Sequence, residues 1–431
     1  MLTWKHVVLG LLIREVLASF TGHPYDFEIW ARLGVYMQNL GNPYTTLPYY
    51  PGVSFAPQAF TGSISYPPLS AFIFALTYWA YLMLGEPSRY LYYFLLKQPM
   101  VLSDIGVAFL ISRIIVLQKG PAAGWKAFIV WLYLPFTILV SSVWGALDPV
   151  ALFLTMMAIY CMLSSKLNLS ACSLGLAIFL KTMPIVVLPV FLLQLRSPLD
   201  RKIRFSAISL GIPAFGTLAP LFLLRWGLGG IFANFSFQVD IPSTGAMSLL
   251  GQTLNITGVS GVASVLAGAV WIPILLLSYR WIYKRQINLL QGVLVAFLVF
   301  SLSRPFLPEQ WALYPTALLL TMIDQESLRH FLGLSVTATM FLVANNTWLV
   351  RFLSPVSTGF YLWDIYTNNL SPYAFLRMVV LLATSSLFFA EGLLTILGKE
   401  SIMYRALDRL TRNLNIRIPI VVRPFNRKVR L

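Results

Sequence analysis

Fifteen carboxylates serve a chain of 431 residues, so each one beside an apolar run is a candidate for chemistry. Ionisable groups at membrane depth are costly to bury and mark function by default. Asp26 and Glu28 stand two residues apart in Gly22-His23-Pro24-Tyr25-Asp26-Phe27-Glu28-Ile29-Trp30, directly after the first apolar run. A carboxylate in that place can take a proton from an incoming hydroxyl as general base. The pair can instead give oxygen ligands to a divalent cation such as Mg or Mn, or form a solvated helix start, where Asp is favoured. Asp104 lies inside an apolar run that opens with Lys97-Gln98-Pro99, and Lys97, two helical turns away, is a candidate ion-pair partner. Asp148 closes the break Ser141-Ser142-Val143-Trp144-Gly145-Ala146-Leu147-Asp148-Pro149. Lys181 sits deep in an apolar run, in Gly175-Leu176-Ala177-Ile178-Phe179-Leu180-Lys181-Thr182-Met183-Pro184. It suits a phosphate ligand, or a side chain that snorkels to the interface. In Ser303-Arg304-Pro305-Phe306-Leu307-Pro308-Glu309-Gln310-Trp311 a proline-framed turn carries one cation and one anion. Arg304 and Glu309 can clasp each other, or the guanidinium can take a lipid phosphate through two parallel donors. Ser65-Tyr66-Pro67-Pro68-Leu69 leads into the second apolar run, and its prolines set the direction of that span.

The composition says what must position these groups. Hydrophobic residues make up 58% of the chain and charged residues 11%, with a net charge of +16 and a mean hydropathy of +0.75. A soluble domain carries about 25% charged residues, so soluble, disordered and collagen-like chains are excluded together. Nine basic residues between Lys399 and Leu431 face only Glu400 and Asp408, and the rest form short clusters between apolar runs. That is the pattern of a polytopic membrane protein with basic cytoplasmic loops. No basic surface broad enough for a nucleic-acid duplex is left over. Cys161 and Cys172 lie in apolar runs and read as small buried hydrophobes. Arg14 and Glu15 interrupt the first run and no small-residue cleavage site follows, so it reads as a retained span.

A helix needs roughly 20 apolar residues to cross a bilayer. Spans are expected near 5–20, 67–85, 90–117, 127–143, 149–165, 170–195, 206–225, 262–279, 287–303, 310–323, 331–350 and 376–397. The fold class is therefore all-α, a polytopic transmembrane bundle of about 11–13 helices. Residues 21–66 form one long loop without a charge after Arg32, dense in Pro, Gly and Tyr, expected to be ordered on the membrane surface. Parity of the basic loops requires one broken span. The break falls either in 90–117 near Pro99 and Asp104, or in 170–195 at Lys181-Thr182-Met183-Pro184. Met403, Leu407, Leu410 and Leu414 at helical spacing, with Arg405, Arg409 and Arg412 between them, predict a helix lying on an anionic lipid surface.

Taken in order, these motifs resemble the GT-C superfamily of membrane glycosyltransferases. The order is an acidic pair after the first span, a Tyr-Pro-Pro start to the second, an Asp-centred third segment, a Ser-Ser…Gly…Asp break, then Gly-x-Ala-x-x-x-Lys-x-x-Pro. Within it the pattern is most similar to the catalytic subunit of GPI mannosyltransferase I and its microbial relatives. Residues 92–193 carry most of the likeness, 26–30 add the loop, and beyond residue 200 only the turn at Glu309 looks familiar. The resemblance implies an inverting transferase using a polyprenyl- or dolichyl-phosphate sugar, mannose by preference, with a lipid-linked or glycan acceptor. It places the active site on the outer or lumenal face, with Asp26 as base. Those relatives have Asp-x-Asp where this chain has Asp26-Phe27-Glu28, which keeps both carboxylates and leaves the metal role open. Glu28 and Asp104 are then orienting or metal-binding acids, Lys181 and Arg304 partners of the phosphate, and Asp148 and Glu309 further polar groups of the binding site. Tyr66, Trp144 and Trp311 wall the sugar.

The corresponding division of the chain is 1–225 as the GT-C-like module, 226–398 as a variable transmembrane module and 399–431 as a basic cytoplasmic tail. A partner subunit is compatible with this plan. Two other classes share the composition: a lipid or solute transporter or flippase, and a non-catalytic subunit of a glycosylation complex. A transporter favours inverted repeats with acids near the midplane, whereas here the acids cluster at span ends and no repeat is visible.

Overall fold

The computed structural model describes residues 4–23, 26–54, 63–195, 197–227, 247–257, 269–322, 324–345 and 372–413, and every regular element among them is helical. Proline punctuates the chain. With no N–H to leave unpaired and φ already set, it fits a helix start. It opens α3 (Pro68–Met83), α5 (Pro121–Leu132) and the short α6 (Pro135–Ile138), and stands in the first turn of α7 (Asp148–Leu163). Ahead of them lie α1 (Trp4–Phe20) and α2 (Asp26–Tyr36); α4 (Arg89–Lys119) starts where the Ser88 hydroxyl accepts the Tyr90 N–H at 3.2 Å. After α7 come α8 (Leu167–Leu180), α9 (Leu188–Gln194) and α10 (Leu199–Leu223). The second half holds α11 (Leu249–Thr257), α12 (Trp271–Arg285), α13 (Leu289–Ser303), α14 (Leu313–Met322), α15 (Gln325–Asn345), α16 (Pro372–Leu397) and α17 (Ile402–Asn413).

The protein is an integral membrane protein. Among the described residues four helices are long and apolar enough to cross a bilayer: α4, α10, α15 and the Phe375–Leu397 part of α16. A fifth span forms if α5 and the α6 segment, bent by 53° where they meet, are taken together. The expected span at 127–143 is thus two helices meeting at an angle, because Pro135 cannot continue α5. Other apolar helices, α3, α7, α8 and α13 among them, are shorter.

The broken span is the later one. α4 runs unbroken through Pro99 and Asp104, whereas α8 stops at Leu180 and Lys181 is extended, with φ −150° and ψ 130°. A 3₁₀ turn, Met183–Val187, then leads into α9. Irregular backbone at membrane depth is tolerated where protein surrounds it, and Lys181, Met183 and Pro184 are all buried. A second irregularity ends α6: a π-helical turn, Leu139–Trp144, stops at Gly145 in the left-handed region at φ 75°. A Cβ on Gly145 would also come within 3.0 Å of the Lys97 methylenes.

Buried charges lock the helices of the first half. Asp104 does not pair with Lys97. Seven residues along a helix separate the two by about 10 Å, and a nearer cation comes from another helix. Arg14 of α1 donates Nε to Asp104 Oδ2 at 2.8 Å, and Trp131 Nε1 and Ser141 Oγ supply further bonds at 2.9 and 3.1 Å. Lys97 instead donates to the carbonyls of Thr21, Ser142 and Val143 at 2.5, 2.8 and 3.3 Å. It ties the end of α1 to the π-helical turn and lies 4.9 Å from the Phe27 ring.

The 21–66 loop is ordered over its described parts and contains α2. Trp30 stacks on Phe74 at 5.4 Å, Phe27 meets the edge of Tyr93 at 5.2 Å, and Tyr92 Oη donates to the Ala31 carbonyl at 2.9 Å. This close seating requires Gly34, where a Cβ would lie 2.2 Å from Tyr92 Oη and 2.9 Å from the Phe74 carbonyl oxygen. Gly34→Ala is expected to lower thermal stability in detergent by the equivalent of about 1–3 kcal/mol, the usual range for overpacking. Adding Tyr92→Phe, which removes the nearest atom, should recover part of the loss; an unchanged melting temperature for Gly34→Ala refutes the close packing of α2.

Candidate functional site

Asp26 is the first residue of α2, and its position is built from neighbours on both sides. The Asp26 N–H donates to His23 Nδ1 at 3.2 Å, so a histidine ring caps this helix in place of the usual hydroxyl or carboxylate. An acceptor at Nδ1 places the ring proton on Nε2. The same ring stacks on Trp144 at 4.5 Å and 16°, while Trp144 Nε1 donates to Asp26 Oδ2 at 3.0 Å. The π-helical turn therefore aims an indole N–H at the carboxylate, and the lysine bridge described above holds that turn in place. Asp26 keeps 25% of its side chain exposed.

Glu28 is in a different environment. Residues two apart on a helix do not share a face, and Glu28 is fully buried, in an ion pair with Arg32 one turn on. Arg32 also lies 5.3 Å from the Tyr49 ring. Asp26 and Glu28 therefore do not converge as one donor set. Among the described residues no group of three or more His, Cys, Asp or Glu could hold a metal ion, so this geometry does not fit a Mg or Mn site built on the pair. Asp104, held by Arg14, Trp131 and Ser141, is a buried structural acid on a third set of partners.

A second group of side chains gathers around the break after α8. Lys181 Nζ donates to Asp148 Oδ2 at 2.6 Å, and both residues are buried. Lys181 also lies 5.0 Å from the Tyr66 ring and 5.9 Å from the Trp311 ring. Tyr66 joins the two acids: burial and the charges of Asp26 and Asp148 hold its phenol well above the usual tyrosine range, so it stays neutral and able to donate. On the far side the Arg304 guanidinium lies over Phe300 at 4.9 Å, Trp311 at 5.4 Å and Trp271 at 6.0 Å. Burial lowers it to about 10, which leaves it charged at neutral pH. A continuous line of aromatic and ionisable side chains thus runs from Asp26 through Tyr66, Lys181 and Trp311 to Arg304.

Three polar atoms along this line have no hydrogen-bond partner among the described residues: Asp148 Oδ1, Trp311 Nε1 and Tyr314 Oη. Tyr314 lies close enough to Asp148 and Tyr66 for their charges to act on it. Glu309 accepts from Asn345 Nδ2 at 3.0 Å, and Arg377 donates to the same asparagine. Of the residues singled out in the sequence, Asp26, Trp144, Tyr66, Asp148, Lys181, Trp311 and Arg304 are connected in this way, whereas Glu28 and Asp104 are committed to arginines. Sequence reading missed His23 and Tyr314. A signal existed for each: His23 stands three residues before Asp26, and Tyr314 three residues after Trp311, one helical turn away in both cases.

No protein-family model matches the chain, and no curated protein matches it in sequence. Solved structures with a similar fold include ArnT from Cupriavidus metallidurans bound to undecaprenyl phosphate, at a TM-score of 0.49 and 14% identity, covering 90% of this chain and 77% of that one. The apo form of the same protein gives 0.46 and 16%. The Archaeoglobus fulgidus oligosaccharyltransferase in its apo form gives 0.37 and 13%, covering 90% of this chain and 56% of that one.

Proposed function

We propose that the protein is an inverting membrane glycosyltransferase. It takes a hexose, mannose by the motif resemblance, from a polyprenyl- or dolichyl-phosphate donor and passes it to a hydroxyl of a lipid-linked or glycan acceptor. In this reading the site faces the outer or lumenal side and the basic tail the cytoplasm. One observation carries the reading: Asp26, one-quarter exposed and held by the Trp144 indole N–H, begins a line of aromatic and cationic groups that ends at Arg304.

The chemistry needs few parts. The acceptor oxygen attacks the anomeric carbon while the bond from that carbon to the phosphate oxygen breaks, and the configuration inverts. Asp26 accepts the hydroxyl proton. The polyprenyl phosphate leaves with the bonding pair, and its added charge needs a fixed cation. Preorganised charge of this kind is usually the largest catalytic contribution. Arg304 is assigned that role because a guanidinium matches phosphate oxygens through two parallel donors, while Lys181 is held by Asp148 at 2.6 Å. Lys181 then serves to hold Asp148 and to stand over Tyr66. The planar faces of Tyr66 and Trp311 suit the apolar face of a sugar ring. No step is assigned to a metal, since Asp26 and Glu28 lie on different faces of α2.

The test uses purified protein, a polyprenyl-phosphate sugar and candidate acceptors. Asp26→Asn should reduce transfer by about 10²–10⁴-fold, the usual contribution of a general base, with folding unchanged. Glu28→Gln should act mainly on melting temperature, since it breaks a buried ion pair. Arg304→Gln should lower kcat and weaken donor binding together. Transfer at the wild-type rate by Asp26→Asn refutes the assignment of the base. If the wild type cleaves no donor but carries a lipid or solute across vesicles, the transporter reading replaces this one.

A further inference from the structure

A cavity of about 260 Å³ lies between the α7–α8 turn and the first turns of α10, and none of the residues of the line just described lines it. Its lining is Ser165, Leu167, Asn168, Arg201, Arg204 and Phe205. Two guanidiniums, a hydroxyl and an amide therefore face one concave space, and no carboxylate lines it. Arg201 and Arg204 are three residues apart on α10, so they share a face, and neither forms an ion pair among the described residues. The chain offers little to neutralise them: Asp200 is the single acid between Asp148 and Asp240.

Two of the six lining residues, Leu167 and Phe205, are apolar. Phe205 is buried and stacks on Phe191 at 5.9 Å, and Ser209 Oγ donates to the Ala171 carbonyl at 3.2 Å, which clamps α10 to α8. The first turn of α8 reaches the cavity at Leu167 and Asn168, and no side chain caps that helix. Beyond the cavity α10 is the least covered of the long apolar helices, with 11% of its apolar window buried against 61% for α4. Leu199, Ile203, Leu210, Phe215, Leu218 and Phe222 are exposed along it.

We propose that this cavity binds the phosphate group of a membrane lipid, with Arg201 and Arg204 on its oxygens and the acyl or prenyl chain along the apolar surface of α10. The site is independent of the transfer reaction. Guanidiniums match phosphate bidentately, and basic pockets between spans take anionic headgroups. Diffuse attraction of basic residues to an anionic bilayer is the competing account, and it treats Arg201, Lys202 and Arg204 alike.

Native mass spectrometry and thermal-shift titration of the purified full chain separate the two accounts. The probes are phosphatidylglycerol, phosphatidic acid, phosphatidylcholine and inorganic phosphate. The proposal expects saturable binding of the anionic phospholipids, weakened about tenfold by Arg201→Gln or Arg204→Gln, each removing a charge-assisted bond pair, and changed less than about twofold by Lys202→Gln, a charge outside the cavity lining. Saturation by inorganic phosphate with the same arginine dependence assigns the site to a free phosphate instead of a lipid. Equal losses for all three substitutions, or binding that never saturates, overturn the proposal. Glycosyl transfer by the arginine variants should stay at the wild-type level whatever the outcome.

Discussion

Charge with no water to hold it must be held by protein, and this constraint shapes the first half of the molecule. Each buried acid or base there is met by a partner from another turn or another helix: Arg14 by Asp104, Glu28 by Arg32, Lys181 by Asp148. Lys97 reaches three backbone carbonyls instead of an acid. Breaking such a pair by removing one member leaves an uncompensated charge, a loss of about 3–5 kcal/mol in buried sites. Geometry follows from the same bonds. Arg14 fixes α1 against α4, α5 and the π-helical turn through Asp104, Trp131 and Ser141, and that turn presents Trp144 to Asp26. The second half repeats the device: His330 meets Glu391 at 3.1 Å, and Glu391 Oε1 accepts from Ser401 Oγ and from the Met403 N–H, fixing the start of α17.

Asp26 stands apart from this set. It is a carboxylate of the first half left partly open to solvent while the acids around it are sealed with cations. The Trp144 indole N–H donates to it, and His23 Nδ1 lies 4.0 Å from its Oδ2. The general base of the proposed reaction needs that intermediate condition. Full pairing with an arginine would hold the carboxylate too weakly basic, and full burial would leave it without access to a hydroxyl. Glu28, two residues away, shows the alternative outcome on the same helix, because the turn of α2 directs it inward onto Arg32.

Much of the fold was legible because it depends on local signals. Apolar runs of span length, prolines at helix starts and the Gly145 stop lie in the residues themselves, and nearly every expected span overlaps an observed helix. Partner choice was not legible. Asp104 and Lys97 sit on one helix and invited pairing, yet α1 approaches from 90 residues away and supplies Arg14. The choice between two candidate breaks was equally hidden, since Pro99 is absorbed by α4 while Pro184 lies in a 3₁₀ turn. The expected tail helix is present as α17 up to Asn413, and Leu414 and the remainder of the basic tail lie outside the described residues. The site was readable as a list of residue types, but the separation of Asp26 from Glu28 required the helix.

The unpartnered atoms near Lys181 carry the argument one step further. Nearly all buried polar atoms in folded proteins find a partner, yet Asp148 Oδ1, Trp311 Nε1 and Tyr314 Oη have none among the described residues. One is an acceptor, one a donor, and the third can do either. Such a mixed set is a poor match for a phosphate, which only accepts, and a poor match for an ammonium, which only donates. Hydroxyls satisfy all three, because each can give one bond and receive others. The Asp148–Lys181 pair is neutral overall, so it does not select for a charged group. Under the glycosyltransferase reading this end of the line therefore belongs to the sugar and the Arg304 end to the phosphate. On the same reading the acceptor hydroxyl arrives beyond Tyr66, at Asp26.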